Sequence, residues 1–543
     1  MPKTAAGADV ERSVSEQLDA LFAPWNRMDS PGLVVGVARA GTLLYRRGFG
    51  MASLETGVAN TPRTRMRIGS TSKHFTALLA LLLAEEGKLD IDAPIRTYIP
   101  ELSGPGGDPT LRQLMQHRGG SRCYIDLSFI AHGQSLVPPG VALAAQSRQR
   151  GRNFAPGEAM IYNNGGYHLL SIAIERVGGA PFETLLADRL LIPMRMADTA
   201  SIPSDLVITQ GIATMHVPLP GGRWRRGLFS SEEVKGEGAM VSTVDDMLRW
   251  MEHLRRPARF GSPATWQALQ APAAGVGASA GAYALGLYIA DYRGLRTISH
   301  SGGVIGGTSQ MLTLPDFGVD IIIMVNGAPA ADPVKLAEQV VDIVLADEVG
   351  EVKPTIPAGD YAAFLADWWS PETGMVYSLV DEGGVLKLEI CKNPLLRKPL
   401  ERAPDGRVIL PELSMSELCL ELDGAAEPDR LGISFAGKAA IYQRLPTEPA
   451  NPGAFASAIA GRYYSGDANA TATIAYEAGK LAIRLSDPFG GVDANLTPVG
   501  ENVAIAWPLV NIWCALSFIR RDGVVTGFSL NSERTRKLEF ERI

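Results

Sequence analysis

Residues 68–88 read IGSTSKHFTALLALLLAEEGK. Phe75 to Ala84 is almost wholly apolar, and Glu85-Glu86-Gly87-Lys88 follows. This predicts a buried helix closed by Gly87. Ser70-Thr71-Ser72-Lys73 opens it, and a helix places positions i and i+3 on one face, so the Ser70 hydroxyl and the Lys73 ammonium lie side by side. A serine hydroxyl is a weak nucleophile and needs an adjacent base. A lysine serves as that base when burial and neighbouring cations depress its pKa. The helix N-terminus adds unpaired N–H groups and positive potential, which suit a developing oxyanion. An S-x-x-K on an exposed helix is ordinary. This one is the only copy in the chain, and a lysine inside so apolar a helix is costly without a role.

Two further segments carry candidate chemistry. Tyr162-Asn163-Asn164 follows Phe154-Ala155-Pro156-Gly157 and precedes an apolar helix expected over Leu169–Val177. A tyrosine near the lysine could relay the serine proton, and Asn164 could hold a substrate amide. The bland alternative is a loop tyrosine that packs and caps a helix. His300-Ser301-Gly302-Gly303 follows a strand-like run and stays glycine-rich up to Gly307. Gly303 could offer a backbone N–H to an oxyanion, and His300 could bind a substrate carboxylate or orient the tyrosine. The bland alternative is a tight turn with an incidental histidine. A second H-x-G, His117-Arg118-Gly119, ends the short helical stretch Leu111–Gln116 and ranks behind the first. No H-E-x-x-H exists, and the seven histidines do not pair at ligand spacing, so no metal is expected. Gly432 to Lys438 matches G-x-x-x-x-G-K, but Ala439 stands where Ser or Thr is required.

The wider chain has 543 residues, too many for one ordinary domain. Hydrophobic residues make up 46% and charged residues 20%, a normal balance for a globular protein. The net charge of −7 argues against nucleic-acid and anionic-membrane partners, which need a dense basic patch. The nearest basic run, Arg223-Trp224-Arg225-Arg226 beside Gly221-Gly222, reads as solvated loop. Four scattered cysteines read as buried thiols rather than a disulfide frame or zinc site. No 18-residue apolar stretch is present, and the first residues lack an apolar signal-peptide region. A cytoplasmic protein is expected.

Leu33–Ala40 and Thr42–Gly48 read as strands joined at Gly41. Ser242 to Asp246 reads as a helix start with a capping box, which accounts for the Asp245-Asp246 pair better than a catalytic dyad does. Two Pro- and Gly-rich stretches, Glu348–Gly359 and Leu445–Gly453, read as linkers. They predict domains at 1–350, 351–447 and 454–543. The last two resemble each other: Trp369-Ser370, Gly384, Leu386, Leu388 and Ile390 recur 95 residues on as Tyr464-Ser465, Gly479, Leu481, Ile483 and Leu485. Apolar residues alternate with charged or small ones in both runs, as in half-buried strands, which predicts two copies of one antiparallel barrel.

Taken in order, Ser70-x-x-Lys73, Tyr162-x-Asn164 and His300-x-Gly302 resemble the three motifs of the serine β-lactamase and penicillin-binding-protein superfamily. The histidine of the third motif and the Gly236-Glu237-Gly238-Ala239 segment are similar to the bacterial D-aminopeptidase family within it. Trp368-Trp369-Ser370-Pro371-Glu372 and Gly461-Arg462-Tyr463-Tyr464-Ser465 resemble the openings of that family's two barrels. The resemblance implies an α+β catalytic domain, an antiparallel sheet flanked by helices, followed by two antiparallel β-barrel domains. It implies Ser70 as nucleophile, Lys73 and Tyr162 sharing general-base work, and N–H groups of Ser70 and Gly303 as oxyanion hole. Asn164, His300 and Gly302 would contact substrate. The implied activity is acyl-enzyme hydrolysis of N-terminal D-residues from peptides and amides, without a cofactor and in a homodimer. A D-amino-acid amidase or esterase, a β-lactam-recognising peptidase and an acylated sensor are the alternatives. In D-aminopeptidases a loop of the last barrel helps select a free amine. The matching stretch here, Trp507–Trp513 (WPLVNIW), has no acidic residue to meet an ammonium group.

Overall fold

In the computed structural model, residues 5–102, 108–256, 260–273, 281–327, 331–403, 405–413, 416–422, 429–435, 437–446, 451–509 and 512–543 are described. The chain forms two compact units. One comprises Met1–Asp92, Tyr167–Ala273 and Tyr283–Val352; the other comprises Ala93–Gly166, Ala274–Ala282 and Lys353–Ile543.

The first unit is built on the strand Leu33–Arg39, whose two faces are both buried. Leu33, Val35 and Val37 share a core with Leu18 and Phe22 of the helix Ala5–Phe22 and with Leu336 and Val340 of the helix Pro333–Val344. On the opposite face Gly36 admits the helix Val244–Arg255, because a Cβ there would lie 2.2 Å from Val244 Cγ1. Seven antiparallel strands run in the order Gly281–Tyr283, Tyr288–Tyr292, Leu295–Val304, Gly307–Leu314, Val319–Val325, Leu33–Arg39, Thr42–Phe49. The expected first hairpin is therefore the chain's entry into this sheet. Thr243 accepts from the Asp246 N–H and starts its helix as expected. Asp246 does not close a capping box; its carboxylate accepts from the Asp198 N–H and the Thr199 hydroxyl. The Arg223–Arg226 run is a strand rather than a loop. It pairs with His216–Leu219 through the three-residue turn Pro220-Gly221-Gly222, whose two glycines hold positive φ.

The second unit contains the two β structures. Gly461–Ser465 through Leu538–Arg542 form a closed eight-stranded barrel, sealed where Tyr463 pairs with Arg542. Its core also takes in Leu127, Ile130 and Ala131 of the helix Tyr124–His132. Asp367–Trp369 through Lys438–Arg444 form a nine-stranded sheet. Its edge strands, Asn393–Pro399 and Glu401–Arg402, are separated in the chain by Leu400 alone, so the sheet is nearly closed. The repeated sequence marks the same hairpin twice. Gly384 and Gly479 hold φ of +80° and +78° in the two turns, and Leu386, Leu388, Ile390 and Leu481, Ile483, Leu485 point inward. Ser370 accepts from the Thr373 N–H and Ser465 from the Ala468 N–H, the same three-residue step in each copy. Gly432–Phe435 and Lys438 lie on two paired strands of this sheet. The second linker ends in an unexpected helix, Pro452–Ile459, for which Asn451 is N-cap and Pro452 the first residue. No disulfide joins the four cysteines; Cys123, Cys391 and Cys514 are buried. No helix among the described residues is long and apolar enough to cross a membrane.

Candidate active site

The helix Lys73–Glu85 is buried along nearly its whole length and is entered through the tight turn Gly69–Ser72. Gly69 holds φ of +52°, and a Cβ on it would lie 2.8 Å from Gly303 N. The Ser72 hydroxyl donates to Gly69 O (2.6 Å) and accepts from Met240 N (3.2 Å), which fixes the turn. Ser70 is left part-exposed at its apex, whereas Lys73 is fully buried. Lys73 Nζ donates to Ser70 Oγ at 3.0 Å and to Glu237 O at 2.6 Å. It also stands 5.5 Å from the Tyr167 ring centroid. The serine and lysine thus meet as the i, i+3 spacing predicted, and Gly236-Glu237-Gly238 supplies the carbonyl that orients the ammonium.

The third motif lies on the strand Leu295–Val304. Gly302 is forced by packing, since a Cβ there would lie 1.9 Å from Ile68 O. Ser309 Oγ donates to Ile68 O (2.9 Å) and Thr71 Oγ1 donates to His300 O (3.2 Å), tying strand to serine turn. The Gly303 backbone is thereby held beside the turn that carries Ser70.

His300 is fully buried. Its Nδ1 lies 2.5 Å from Ser301 O, which can only accept, so the ring proton sits on Nδ1. Nε2 then accepts from the Tyr283 hydroxyl at 2.9 Å. Burial, with the Lys73 cation second, pushes the imidazolium down to about 3, so the ring is neutral. Both nitrogens are engaged within the protein, and a direct bond to a substrate carboxylate would have to displace one of these partners. Tyr283 escapes sequence reasoning because it stands alone, 17 residues before its histidine.

Tyr162 and Asn164 belong to the second unit. Tyr162 is buried, with the His117 ring 4.1 Å from its own and Arg534 Cζ 4.9 Å from its centroid. His117 Nδ1 accepts from Asn163 N (3.1 Å), and His117 O accepts from Ile161 N (3.1 Å). The second H-x-G is thus the support of the tyrosine segment. Asn163 Oδ1 accepts from Gly165 N (2.7 Å) and its amide donates to Ser121 O (2.7 Å). Asn164 Nδ2 lies 3.9 Å from Cys123 Sγ. Nearby, burial pushes the Asp126 carboxyl up to about 6, against the pull of Arg534. Arg534 itself is held above the usual arginine range: burial opposes the cation, and Glu533, Asp126, Cys123 and Tyr162 together outweigh it.

A serine at the mouth of a buried helix, hydrogen-bonded to a lysine one turn on and flanked by a glycine strand of an antiparallel sheet, defines the class of active-site-serine hydrolases of β-lactamase-like fold. The chain belongs to the beta-lactamase family, whose model matches residues 18–345. A D-aminopeptidase of Brucella ovis is 28% identical over 363 residues; the match spans 65% of this chain and 66% of the relative, just under two thirds. A D-aminopeptidase of Brucella anthropi is 26% identical over 532 residues, 94% of this chain and 95% of the relative. The solved octameric penicillin-binding protein homologue from Pyrococcus abyssi shares the fold, with a TM-score of 0.53 over 98% of this chain and 99% of its own, at 17% identity.

Proposed function

We propose that the protein is a D-stereospecific aminopeptidase that removes N-terminal D-residues from small peptides and amides through a Ser70 acyl-enzyme. The observation that carries the chemistry is the fully buried Lys73, whose Nζ stands 3.0 Å from the part-exposed Ser70 Oγ. Ser70 Oγ attacks the acyl carbon as its proton passes to the Lys73 and Tyr162 pair. The N–H groups of Ser70 and Gly303 receive the oxyanion. The departing amine takes the proton as the C–N bond breaks, and water repeats the sequence on the ester. Asn164 holds the substrate amide, and His300, through Tyr283, keeps the third-motif strand in shape. The D-aminopeptidase relatives support the choice of substrate. A homodimer in a reducing compartment suits this reading, with the family resemblance behind the first and cysteines that form no disulfide behind the second.

A second reading, a broader D-amino-acid amidase or esterase, is favoured by one observation: the Trp507–Trp513 stretch carries no acidic residue. Release of p-nitroaniline from D- and L-alanine p-nitroanilides and their N-acetyl forms separates the two. Turnover of only the free-amine D-substrate, lost in Ser70→Ala, is expected. Equal turnover of the N-acetyl form would replace the aminopeptidase by the amidase, and activity surviving Ser70→Ala would overturn both.

A further inference from the structure

Arg534 lies on the turn between the last two barrel strands, Val524–Asn531 and Leu538–Arg542. The turn is internally braced: Ser532 N donates to Thr535 O (2.7 Å), Thr535 N to Ser532 Oγ (3.1 Å) and Lys537 N to Asn531 Oδ1 (2.7 Å). It is also clamped by the segment that precedes Tyr162. Asn153 Nδ2 donates to Arg534 O (2.9 Å), and Asn153 Oδ1 accepts from Arg536 N (2.8 Å). Arg122 donates to Arg536 O (2.8 Å) and Lys537 O (2.5 Å), and is itself fixed by Asp467 (2.7 Å) and Gln149 (3.1 Å). All of this builds a rigid mount that delivers one guanidinium to one aromatic ring, 4.9 Å from centroid to Cζ.

We propose that Arg534 is a positioning residue for Tyr162, stabilising the phenolate that accepts the serine proton. This rests on the reading of Tyr162 as part of the general base. A cation over an aromatic face attracts the ring even when the phenol is neutral, and attracts it more strongly once the oxygen carries charge. Arg534 neither gives nor takes a proton. The proton leaves Ser70 Oγ as the Oγ–C bond forms, resides on the Lys73 and Tyr162 pair, and leaves with the amine. Also near Tyr162 or Arg534 in this unit are the His117 ring, the Cys123 thiol, the Asp126 carboxyl and Glu533. The two carboxylates favour the arginine cation and oppose the phenolate, so Arg534 is the group in that set whose charge favours it.

The test is the pH profile of kcat/KM on an amide substrate for the full-length wild type, Arg534→Gln, Arg534→Lys, Tyr162→Phe and the Arg534→Gln/Tyr162→Phe double variant. An opposite charge at this range moves a titration by about 1 to 3 pH units. In Arg534→Gln the acid limb is expected to move up by that amount, with activity at neutral pH down about ten-fold or more and partial recovery in Arg534→Lys. The glutamine should cost nothing further once Tyr162 is Phe. An acid limb that stays in place in Arg534→Gln, with kcat/KM within two-fold, overturns the inference. A fall in activity without a moved limb, accompanied by a lowered melting temperature, would assign Arg534 a purely structural role and also overturn it. Full activity in Tyr162→Phe would remove the general-base reading instead, which keeps the two failures apart.

Discussion

Gly302→Ala tests whether the third-motif strand is held against the serine turn by steric necessity. A Cβ at Gly302 would lie 1.9 Å from Ile68 O and 2.5 Å from Ser309 Oγ, where real Cβ atoms keep at least 3.0 Å. The strand must therefore withdraw by about 1 Å, and a misplacement of that order costs roughly 100-fold in rate. Withdrawal carries the Gly303 N–H with it, and loss of one oxyanion donor costs about 10² to 10³ in kcat, about 2.7–4 kcal/mol. The crowding itself should destabilise the fold by about 1–3 kcal/mol. Gly303→Ala is the neighbouring control. Its Cβ meets nothing within 4 Å and its N–H is kept, so its stability should stay within about 0.5 kcal/mol of wild type. The assay is the acyl-enzyme burst and steady-state kcat on an ester substrate, beside urea denaturation of both variants. A Gly302→Ala enzyme that acylates within three-fold of wild type would refute the reasoning.

Tyr283→Phe removes the hydroxyl that His300 Nε2 accepts from and leaves a buried acceptor, a loss of about 1–3 kcal/mol readable in urea denaturation. Acid should destabilise the first unit. His74, His168 and His300 are buried neutral, with His168 and His300 depressed to about 3 and His74 well below its ordinary value. Below pH 6.5 the unfolded chain binds protons that the folded chain refuses, so stability is complete above that pH and falls toward pH 3, by about 1.4 kcal/mol per unit per histidine. In the same unit Asp246, raised by burial, acts with the opposite sign, while His216 and His253, lowered by burial, add to the fall. His168→Leu should flatten the pH dependence of the urea midpoint, and an unchanged slope would contradict the assignment. Asp467→Ala strips the buried Arg122 of its carboxylate and should cost about 3–5 kcal/mol, with loosening of the 532–537 turn visible in amide hydrogen exchange.

Local signals in the sequence were read correctly where one segment decides them. The Ser70–Lys73 pair follows from helical spacing, the first hairpin from apolar runs about Gly41, and the paired barrels from alternation repeated at one offset. What escaped reading depends on contacts between distant segments. Arg122 pairs with Asp467 across 345 positions, and no local pattern announces it. Nothing near Tyr283 or Arg534 marks either as a partner of His300 or Tyr162. The two H-x-G segments show the same limit: one is a strand beside the serine turn and the other the support under a tyrosine, and only the pairing of strands distinguishes them. The helix Pro452–Ile459 was legible in Asn451-Pro452, a cap followed by a favoured first residue, but the surrounding prolines read as linker.

The helix Tyr124–His132 shows why the barrel is more than an appendage. Leu127, Ile130 and Ala131 are 3%, 0% and 2% exposed, and their core partners are barrel residues. His132 Nδ1 and Asp487 Oδ2 meet at 2.8 Å beside them. Removing residues 454–543 would bare this face. Burial of each large apolar side chain contributes about 1.5–3 kcal/mol, so the loss for Leu127 and Ile130 alone is about 3–6 kcal/mol, comparable with the net stability of many domains. The truncated chain is therefore expected to aggregate or to lose protection across residues 121–166, Tyr162 included, when followed by hydrogen exchange. A truncated chain that stayed monomeric and kept wild-type turnover would mean that neither the helix nor the tyrosine segment depends on the barrel.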